Sequence, residues 1–448
     1  MNLDVLSKSY DIRGVYPTEI DEALYYEIGM GFGKLMDNSN FAVGYDARLS
    51  GESLKDALIQ GILDSGNNVF DIGLCSTDMI YFSSGFYDDI DVGIMITASH
   101  NPKEYNGLKS CLKFAVPINM KDFSKELIDF IENGNKQIRE KKGTYIEKDI
   151  LDDWINHILS FIDIKNIKPL KIVADAGNGV AGVFMEKLAE RLGIDMIPLY
   201  FEADGNFPNH HPNPIERENM QDLLNKVISE NADLGVAFDG DADRMYICDE
   251  KGDIWSGTIT TAMIAKTILQ KNPGKKIVYN TVSGKIVSET IESSGGIGIK
   301  EKVGHVYIKE TMKKDPDIVF AGEHSGHYFF QNNWNADSGV IAFAIVLELI
   351  CNENKKSSEI KEEFDVYHAI DEINSKVNDV KQKISELKDI YKDGKIEEND
   401  GLTVIFNDFW FNVRPSSNEP LLRLNVEAIS KDLAKEKEKE ILEIIRKI

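Results

Sequence analysis

The sequence predicts an α/β protein: three related α/β domains followed by a smaller α+β domain. Two patterns carry that expectation. An apolar strand, a polar or glycine-containing turn, an amphipathic helix and a second strand recur three times, opening at residues 41–46, 171–179 and 276–280. Each recurrence then yields a further short strand that runs straight into a loop crowded with polar side chains. These strands are 93–96 ahead of Ser99, 234–238 ahead of Asp239, and 317–320 ahead of the loop 322–327. Open α/β sheets place ligands at the carboxyl ends of their strands, so the three loops are expected to converge on one cleft.

The length supports several domains, because 448 residues exceed what one hydrophobic core serves. Charged residues at 28% and hydrophobic residues at 42% are the balance of an ordinary globular protein with substantial cores. Domains are expected over 1–146, 147–252, 253–356 and 365–448. The polar stretch 352–358 reads as a linker or helix end. Beyond it the pattern changes: strand-like 402–406 and 410–413 flank a turn, and 431–448 form a charged amphipathic helix.

A formal charge of -24 repels phosphate backbones, so neither nucleic acid nor an anionic membrane is an expected partner. An anionic substrate would need a locally basic pocket. Cys75, Cys111, Cys248 and Cys351 show no CxxC spacing and are expected to be buried free thiols rather than a disulfide framework or zinc site. The first residues lack a basic stretch followed by an apolar run, and no window is long and apolar enough to span a bilayer, so a cytoplasmic protein is expected.

The chemistry is concentrated in a few segments. Ser99 lies in Thr97-Ala98-Ser99-His100-Asn101-Pro102, where Pro102 ends any helix before it starts and presents the hydroxyl on a constrained turn. A capped turn is the bland alternative. A Ser-His hydrolase is disfavoured, because adjacent side chains usually point apart and no GxSxG elbow is present. Asp239, Asp241 and Asp243 alternate after an apolar strand, so three carboxylates can converge on a divalent metal and leave room for a phosphate oxygen. An EF-hand places Glu250 at loop position twelve, but Arg244 stands where that loop needs glycine and a strand precedes it. A serine that can carry a phosphoryl group beside such carboxylates is a phosphoryl-transfer site.

In Gly322-Glu323-His324-Ser325-Gly326-His327, a carboxylate and a hydroxyl between glycines suit vicinal sugar hydroxyls. Arg414, Ser416, Ser417 and Asn418, in RPSSNEP, supply a guanidinium, two hydroxyls and an amide, which is equipment for a phosphate dianion. This is the basic pocket that the acidic average requires. Near the start, YDIRG sets Arg13 on a loop among aromatics and says little alone. The adjacent His210 and His211 stand among prolines and are read as a rigid turn rather than metal ligands.

These segments in this order, YDIRG, TASHNP, DAGNGVAG, FPNHHPNP, DGDADR, VGHVYIK, GEHSGH and RPSSNEP, resemble the α-D-phosphohexomutases over essentially the whole chain. The resemblance implies three α/β domains with mixed sheets and a C-terminal α+β domain, heart-shaped around a central cleft. It makes Ser99 the phosphoserine, and Ser99, Asp239, Asp241 and Asp243 the groups around Mg²⁺. Glu323 and Ser325 would bind sugar hydroxyls. Arg414, Ser416, Ser417 and Asn418 would hold the non-reacting phosphate, with Tyr10, Arg244, Lys285 and His305 also at the substrate. Arg13, Lys109 and His327 match positions near the transferred group and are candidates for charge stabilisation and proton transfer.

The implied reaction is reversible transfer of the Ser99 phosphoryl group to a hexose monophosphate, giving a 1,6-bisphosphate that turns around and returns the other phosphoryl group. Glucose 1,6-bisphosphate, or its mannose counterpart, is then an expected activator. The fourth domain is expected to close over the substrate. GEHSGH resembles GEMSGH of the phosphomannomutase/phosphoglucomutase branch, as does the run from Cys75 to Phe82, so mannose and glucose phosphates are the expected substrates. Phosphoglucosamine mutase is the alternative within the family. A catalytically silent sugar-phosphate sensor is the alternative outside it, opposed by the intact serine and aspartates. A monomer or homodimer is expected. Two departures stand out: Asn418 replaces the usual threonine, and residues 110–115 replace a commonly glycine-containing segment.

Overall fold

A computed structural model describes residues 3–6, 11–118, 120–415 and 421–447, with the side chains at 120 and 121 left aside. Of the expected site residues, Tyr10, Ser416, Ser417 and Asn418 lie outside the described residues. The chain divides into two compact units, Met1–Trp255 with Ser325–Ser358, and Ser256–His324 with Glu359–Ile448.

Two mixed sheets organise the first unit. In one, the parallel strands Val92–Ile96, Asn40–Tyr45, Asn68–Leu74 and Tyr145–Glu147 lie side by side. Tyr105–Leu112 pairs antiparallel with Val92–Ile96, and Ile12–Val15 pairs antiparallel with Tyr105–Leu112. Every residue of Val92–Ile96 is buried, the fate of a continuous apolar run covered on both faces. Helices Glu22–Leu35 and Gly51–Asp64 approach so closely that a Cβ on Gly29 would stand 2.1 Å from the Leu58 carbonyl oxygen, so the contact requires glycine. The other sheet runs Ile254–Trp255, Met245–Asp249, Leu234–Phe238, Lys171–Asp175, Asp195–Leu199, the last three parallel and each of the first two antiparallel to the strand that follows it in this order.

The hairpin Tyr328–Phe330 with Ala336–Asp337 and the helix Gly339–Asn352 also belong to this unit. That helix is apolar nearly all round and is buried accordingly. Its one acid, Glu348, accepts from the Asp163 amide at 3.0 Å and Asn166 Nδ2 at 3.1 Å.

In the second unit, Ile297–Glu301, Lys276–Asn280 and Ile318–Gly322 form a parallel set. The C-terminal part is an antiparallel sheet in the order His368–Lys376, Leu421–Ala428, Phe409–Pro415, Leu402–Ile405, Lys395–Glu397. Helices Val380–Ile390 and Lys431–Arg446 share its apolar core through Leu387, Ala434, Ile441 and Ile445.

The recurrence read from the sequence is therefore a repeated parallel unit. Asn40–Tyr45 and Asn68–Leu74 are joined by Gly51–Asp64, Lys171–Asp175 and Asp195–Leu199 by Gly182–Leu192, and Lys276–Asn280 and Ile297–Glu301 by Lys285–Ser293. In each, the third strand returns to the opposite side of the first. The order reverses between first and third strands, the position at which open α/β sheets bind ligands. The serine, acidic and GEHSGH loops all leave the carboxyl ends of third strands. The free cysteines are all buried, and no described helix is long and apolar enough to cross a membrane.

Candidate active site

Within the first unit, the serine loop and the acidic loop meet. Ser99 leaves strand Val92–Ile96 with φ +50°, and its Oγ donates to Asp239 Oδ2 at 2.8 Å. A Cβ on Gly240 would lie 2.6 Å from the Ser99 carbonyl oxygen, so the glycine lets the two loops touch. The Ser99 amide donates to Thr97 Oγ1 at 2.8 Å, and that hydroxyl donates to buried Asp46 at 2.7 Å.

Arg48, which the sequence reading did not single out, underpins the serine loop. Its guanidinium is fully buried, pairs with Asp46 at 3.2 Å, and donates to the carbonyls of Ser99, Asn101, Pro102 and Tyr105 at 2.7 to 2.8 Å. Arg13 donates to the Ala98 carbonyl at 3.2 Å and to Asn101 Oδ1. The expectation that Ser99 and His100 point apart is not met. The left-handed backbone at Ser99 brings Oγ within 3.3 Å of His100 Nδ1. Burial, with Arg244 and Arg13 nearby, pushes the His100 imidazole down to about 2, so the ring is neutral.

Asp239, Asp241 and Asp243 are buried and can place one oxygen each within 4.8 Å of one another. Lys109, on the strand antiparallel to the one carrying Ser99, donates to Asp241 Oδ2 at 2.7 Å and Asp243 Oδ2 at 2.6 Å. Arg244 donates through Nε to Asp239 Oδ2 at 2.9 Å, and its Nη2 lies 2.9 Å from the same oxygen, off the hydrogen-bond axis. Burial raises the Asp239 carboxyl above the usual range even against Arg244. Burial opposes charge on Asp243 as well, but Lys109 and His327 outweigh it and hold that carboxyl low. Burial also opposes the Lys109 ammonium, and Asp241 and Asp243 more than offset it, so the lysine keeps its proton.

Three carboxylates thus face two permanent cations in direct contact, Lys109 and Arg244, and His327 adds charge only when protonated. Asp241 Oδ1 and Asp243 Oδ1 are buried and accept no hydrogen bond. Such oxygens are costly unless a ligand meets them, and hard oxygen donors with a surplus negative charge suit Mg²⁺. The residues present therefore fit the metal. His327 lies beside them: Arg244 and His327 form an isolated antiparallel bridge, Nε2 is 3.7 Å from Asp243 Oδ1, and Nδ1 is 3.1 Å from Ser325 Oγ.

In the second unit, Glu323 follows strand Ile318–Gly322 and accepts from the Gly304 amide at 3.0 Å, which brings VGHVYIK and GEH together. His305 opens helix His305–Lys314, directly after Gly304, whose φ is +134°. Lys285 opens Lys285–Ser293, and its amide donates to Glu427 Oε1 at 2.9 Å. Arg414, at the end of Phe409–Pro415, donates to Glu372 at 2.7 Å, and Asn425 donates to the same oxygen at 3.1 Å. Burial opposes the Glu372 charge, but Arg414 overcomes it and keeps the carboxyl low. The motif histidine His210 sits 3.1 Å from Asp175.

Four domain families match in succession. They are described as Phosphoglucomutase/phosphomannomutase, alpha/beta/alpha domain I over residues 4–138, domain II over 152–252, domain III over 256–367, and the C-terminal domain over 372–444. A phosphomannomutase of Vibrio cholerae is 36% identical over 456 residues, covering 98% of each chain. That of Methanocaldococcus jannaschii is 38% identical over 443 residues, covering 98% of this chain and 97% of its own. A solved structure of a phosphoglucomutase/phosphomannomutase family protein from Burkholderia thailandensis matches with a TM-score of 0.89 at 30% identity, covering 100% of this chain and 98% of that one.

Proposed function

The chain belongs to the phosphoglucomutase/phosphomannomutase family and is a phosphohexomutase, an isomerase acting on hexose phosphates; from that premise we propose that it interconverts the 1- and 6-phosphates of mannose and of glucose through phosphorylated Ser99 and a hexose 1,6-bisphosphate. One observation carries the mechanistic part. The Ser99 hydroxyl stands 2.8 Å from Asp239, in a loop whose Asp241 and Asp243 each keep one buried oxygen without a hydrogen bond.

Asp239, Asp241 and Asp243 would hold Mg²⁺, which supplies positive charge to the oxygens of the transferring group. Lys109 acts as a fixed charge and not as a base, since two carboxylates hold its proton. Arg13 and Arg244, as guanidiniums, offer donors and positive charge and are assigned to charge stabilisation. His327, on the family resemblance, is assigned to proton transfer. The bond from phosphorus to Ser99 Oγ breaks as one forms to a sugar hydroxyl oxygen. That hydroxyl's proton passes to His327 and is relayed from there to the released Oγ, which ends as the hydroxyl that donates to Asp239. The bisphosphate then presents its other phosphoryl group, and Oγ takes it as the Oγ proton passes by the same relay to the freed sugar oxygen.

Glu323 and Ser325 are assigned to sugar hydroxyls. Arg414, Ser416, Ser417 and Asn418 are assigned to the phosphate that does not react, with Tyr10, Lys285 and His305 assisting. Held remotely, that phosphate contributes orientation rather than chemistry. The domain limits 1–146, 147–252, 253–356 and 365–448, and activation by a sugar 1,6-bisphosphate, belong to the same proposal.

The test is Mg²⁺-dependent conversion of mannose, glucose and glucosamine 1-phosphates to 6-phosphates with trace glucose 1,6-bisphosphate, beside Ser99→Ala. Turnover of the mannose and glucose esters that collapses in the variant is expected. Preference for the glucosamine ester would reassign the substrate, and full turnover by Ser99→Ala would overturn the phosphoserine.

A further inference from the structure

Thr77 opens the helix Thr77–Phe86, and both of its donors go to one residue of the acidic loop. Its amide donates to the Asp241 carbonyl at 3.0 Å, and its hydroxyl donates to Asp241 Oδ2 at 2.5 Å, across 164 positions of sequence. Thr77 is fully buried. Lys109 donates to the same Oδ2 at 2.7 Å, whereas Oδ1 of this carboxylate accepts nothing.

A carboxylate can rotate to present either oxygen. Two donors on Oδ2 remove that freedom and leave Oδ1 as the oxygen without a hydrogen bond. Lys109 cannot do this alone, because its ammonium is shared with Asp243. The threonine is itself held. The next residue, Asp78, accepts from Ser76 Oγ and, at 2.6 Å, from Ser338 Oγ, and Ser338 caps the buried helix Gly339–Asn352. The hydroxyl of Ser76, the helix N-cap, makes no bond to the helix amides and goes to the Asp78 carboxylate instead.

We propose that Thr77 is a positioning residue for the divalent cation: its hydroxyl fixes the rotation of the Asp241 carboxylate so that Oδ1 faces the ion. The inference rests on the metal reading above. Partners behind metal ligands typically account for about 10- to 100-fold in affinity. A hydroxyl that merely ties helix to loop would instead affect folding and leave affinity unchanged.

The test is Mn²⁺ binding to the full chain without substrate, followed by the electron paramagnetic resonance of the free ion, with thermal unfolding in chelator as a separate readout. Thr77→Val keeps the shape and removes the donor, and is expected to weaken binding about 10-fold or more. Thr77→Ser restores the donor and is expected to bind within about threefold of the parent. If Thr77→Val unfolds, Thr77→Ala carries the same expectation. Undiminished binding by the folded donor-less variant, or failure of Thr77→Ser to restore it, overturns the inference. Absence of Mn²⁺ binding by the parent chain overturns the metal reading itself.

Discussion

Arg48 donates through Nη2 to the main-chain carbonyl of Ser99 at 2.7 Å, although its own side chain is fully buried. The guanidinium satisfies four carbonyls around a residue held at φ +50°, a conformation that costs a non-glycine residue free energy unless its surroundings enforce it. Asp46 compensates its charge and also accepts from Thr97, whose hydroxyl holds the Ser99 amide. Serine orientation is thus set by backbone groups anchored to one buried ion pair.

Arg48→Met leaves Asp46 buried and uncompensated, and it is expected to destabilise the protein by about 3–5 kcal/mol in urea unfolding. Arg48→Lys keeps the charge but cannot reach four carbonyls from one planar group, so it is expected to stay folded and lose kcat far more than KM changes. Stability within about 1 kcal/mol of the parent for Arg48→Met would contradict this account.

Chelation makes a second prediction. With the surplus carboxylate charge uncompensated, removal of divalent ions is expected to abolish turnover and lower Tm. Restoring Mg²⁺ to about 100 times its Kd is expected to return about 2.7 kcal/mol of stability. Asp241→Asn should blunt that response, read by calorimetry with and without the ion. An equal Mg²⁺ response in both proteins would remove Asp241 from the site.

The contrast between what could and could not be read from the chain has a physical basis. Strands Val92–Ile96, Leu234–Phe238 and Ile318–Gly322 are legible because buried parallel strands are unbroken apolar runs, and the polar residues that follow stand at their carboxyl ends. Ser99 and the three aspartates announce themselves by spacing within single loops. Arg48 does not, because its partners are main-chain carbonyls about fifty positions away and carry no side-chain pattern. Neither Thr77 nor Glu372 is singled out by the sequence, because their partners Asp241 and Arg414 are brought to them only by folding. The helix Gly339–Asn352 is hard to read for the opposite reason: its apolar run is nearly continuous, so neither the helical nor the strand period stands out.

His210 supplies a pH-dependent prediction. Burial disfavours its imidazolium, but Asp175 at 3.1 Å outweighs burial and raises the ring above its ordinary value. The folded state therefore holds this proton more tightly than the unfolded chain. The contribution to stability is complete below about pH 6.5 and is lost as pH rises through the folded value. Urea unfolding at about pH 5.5 and 8.5 should show a smaller loss on raising the pH for His210→Gln than for the parent. An identical loss in both would dissolve the pair.

Arg414 tests the assignment of the remote phosphate. Its side chain is largely buried, Glu372 holds one end at 2.7 Å, and its Nε is buried without a hydrogen-bond partner. Asn425 reaches the same carboxylate oxygen at 3.1 Å, so the guanidinium is oriented before any ligand arrives. A pre-oriented planar fork grips a phosphate through two parallel bonds, which a lysine ammonium cannot reproduce. Each charge-assisted hydrogen bond contributes about 1.5–3 kcal/mol. Arg414→Lys is therefore expected to raise KM for the hexose monophosphate about 10- to 100-fold, since each 1.4 kcal/mol is a factor of ten. Mn²⁺ binding to the acidic loop should be unaltered, and kcat at saturation should fall less than KM rises, because the lost contact binds the substrate without touching the transferred group. Loss confined to kcat with KM unchanged would instead place Arg414 at the reacting phosphoryl group.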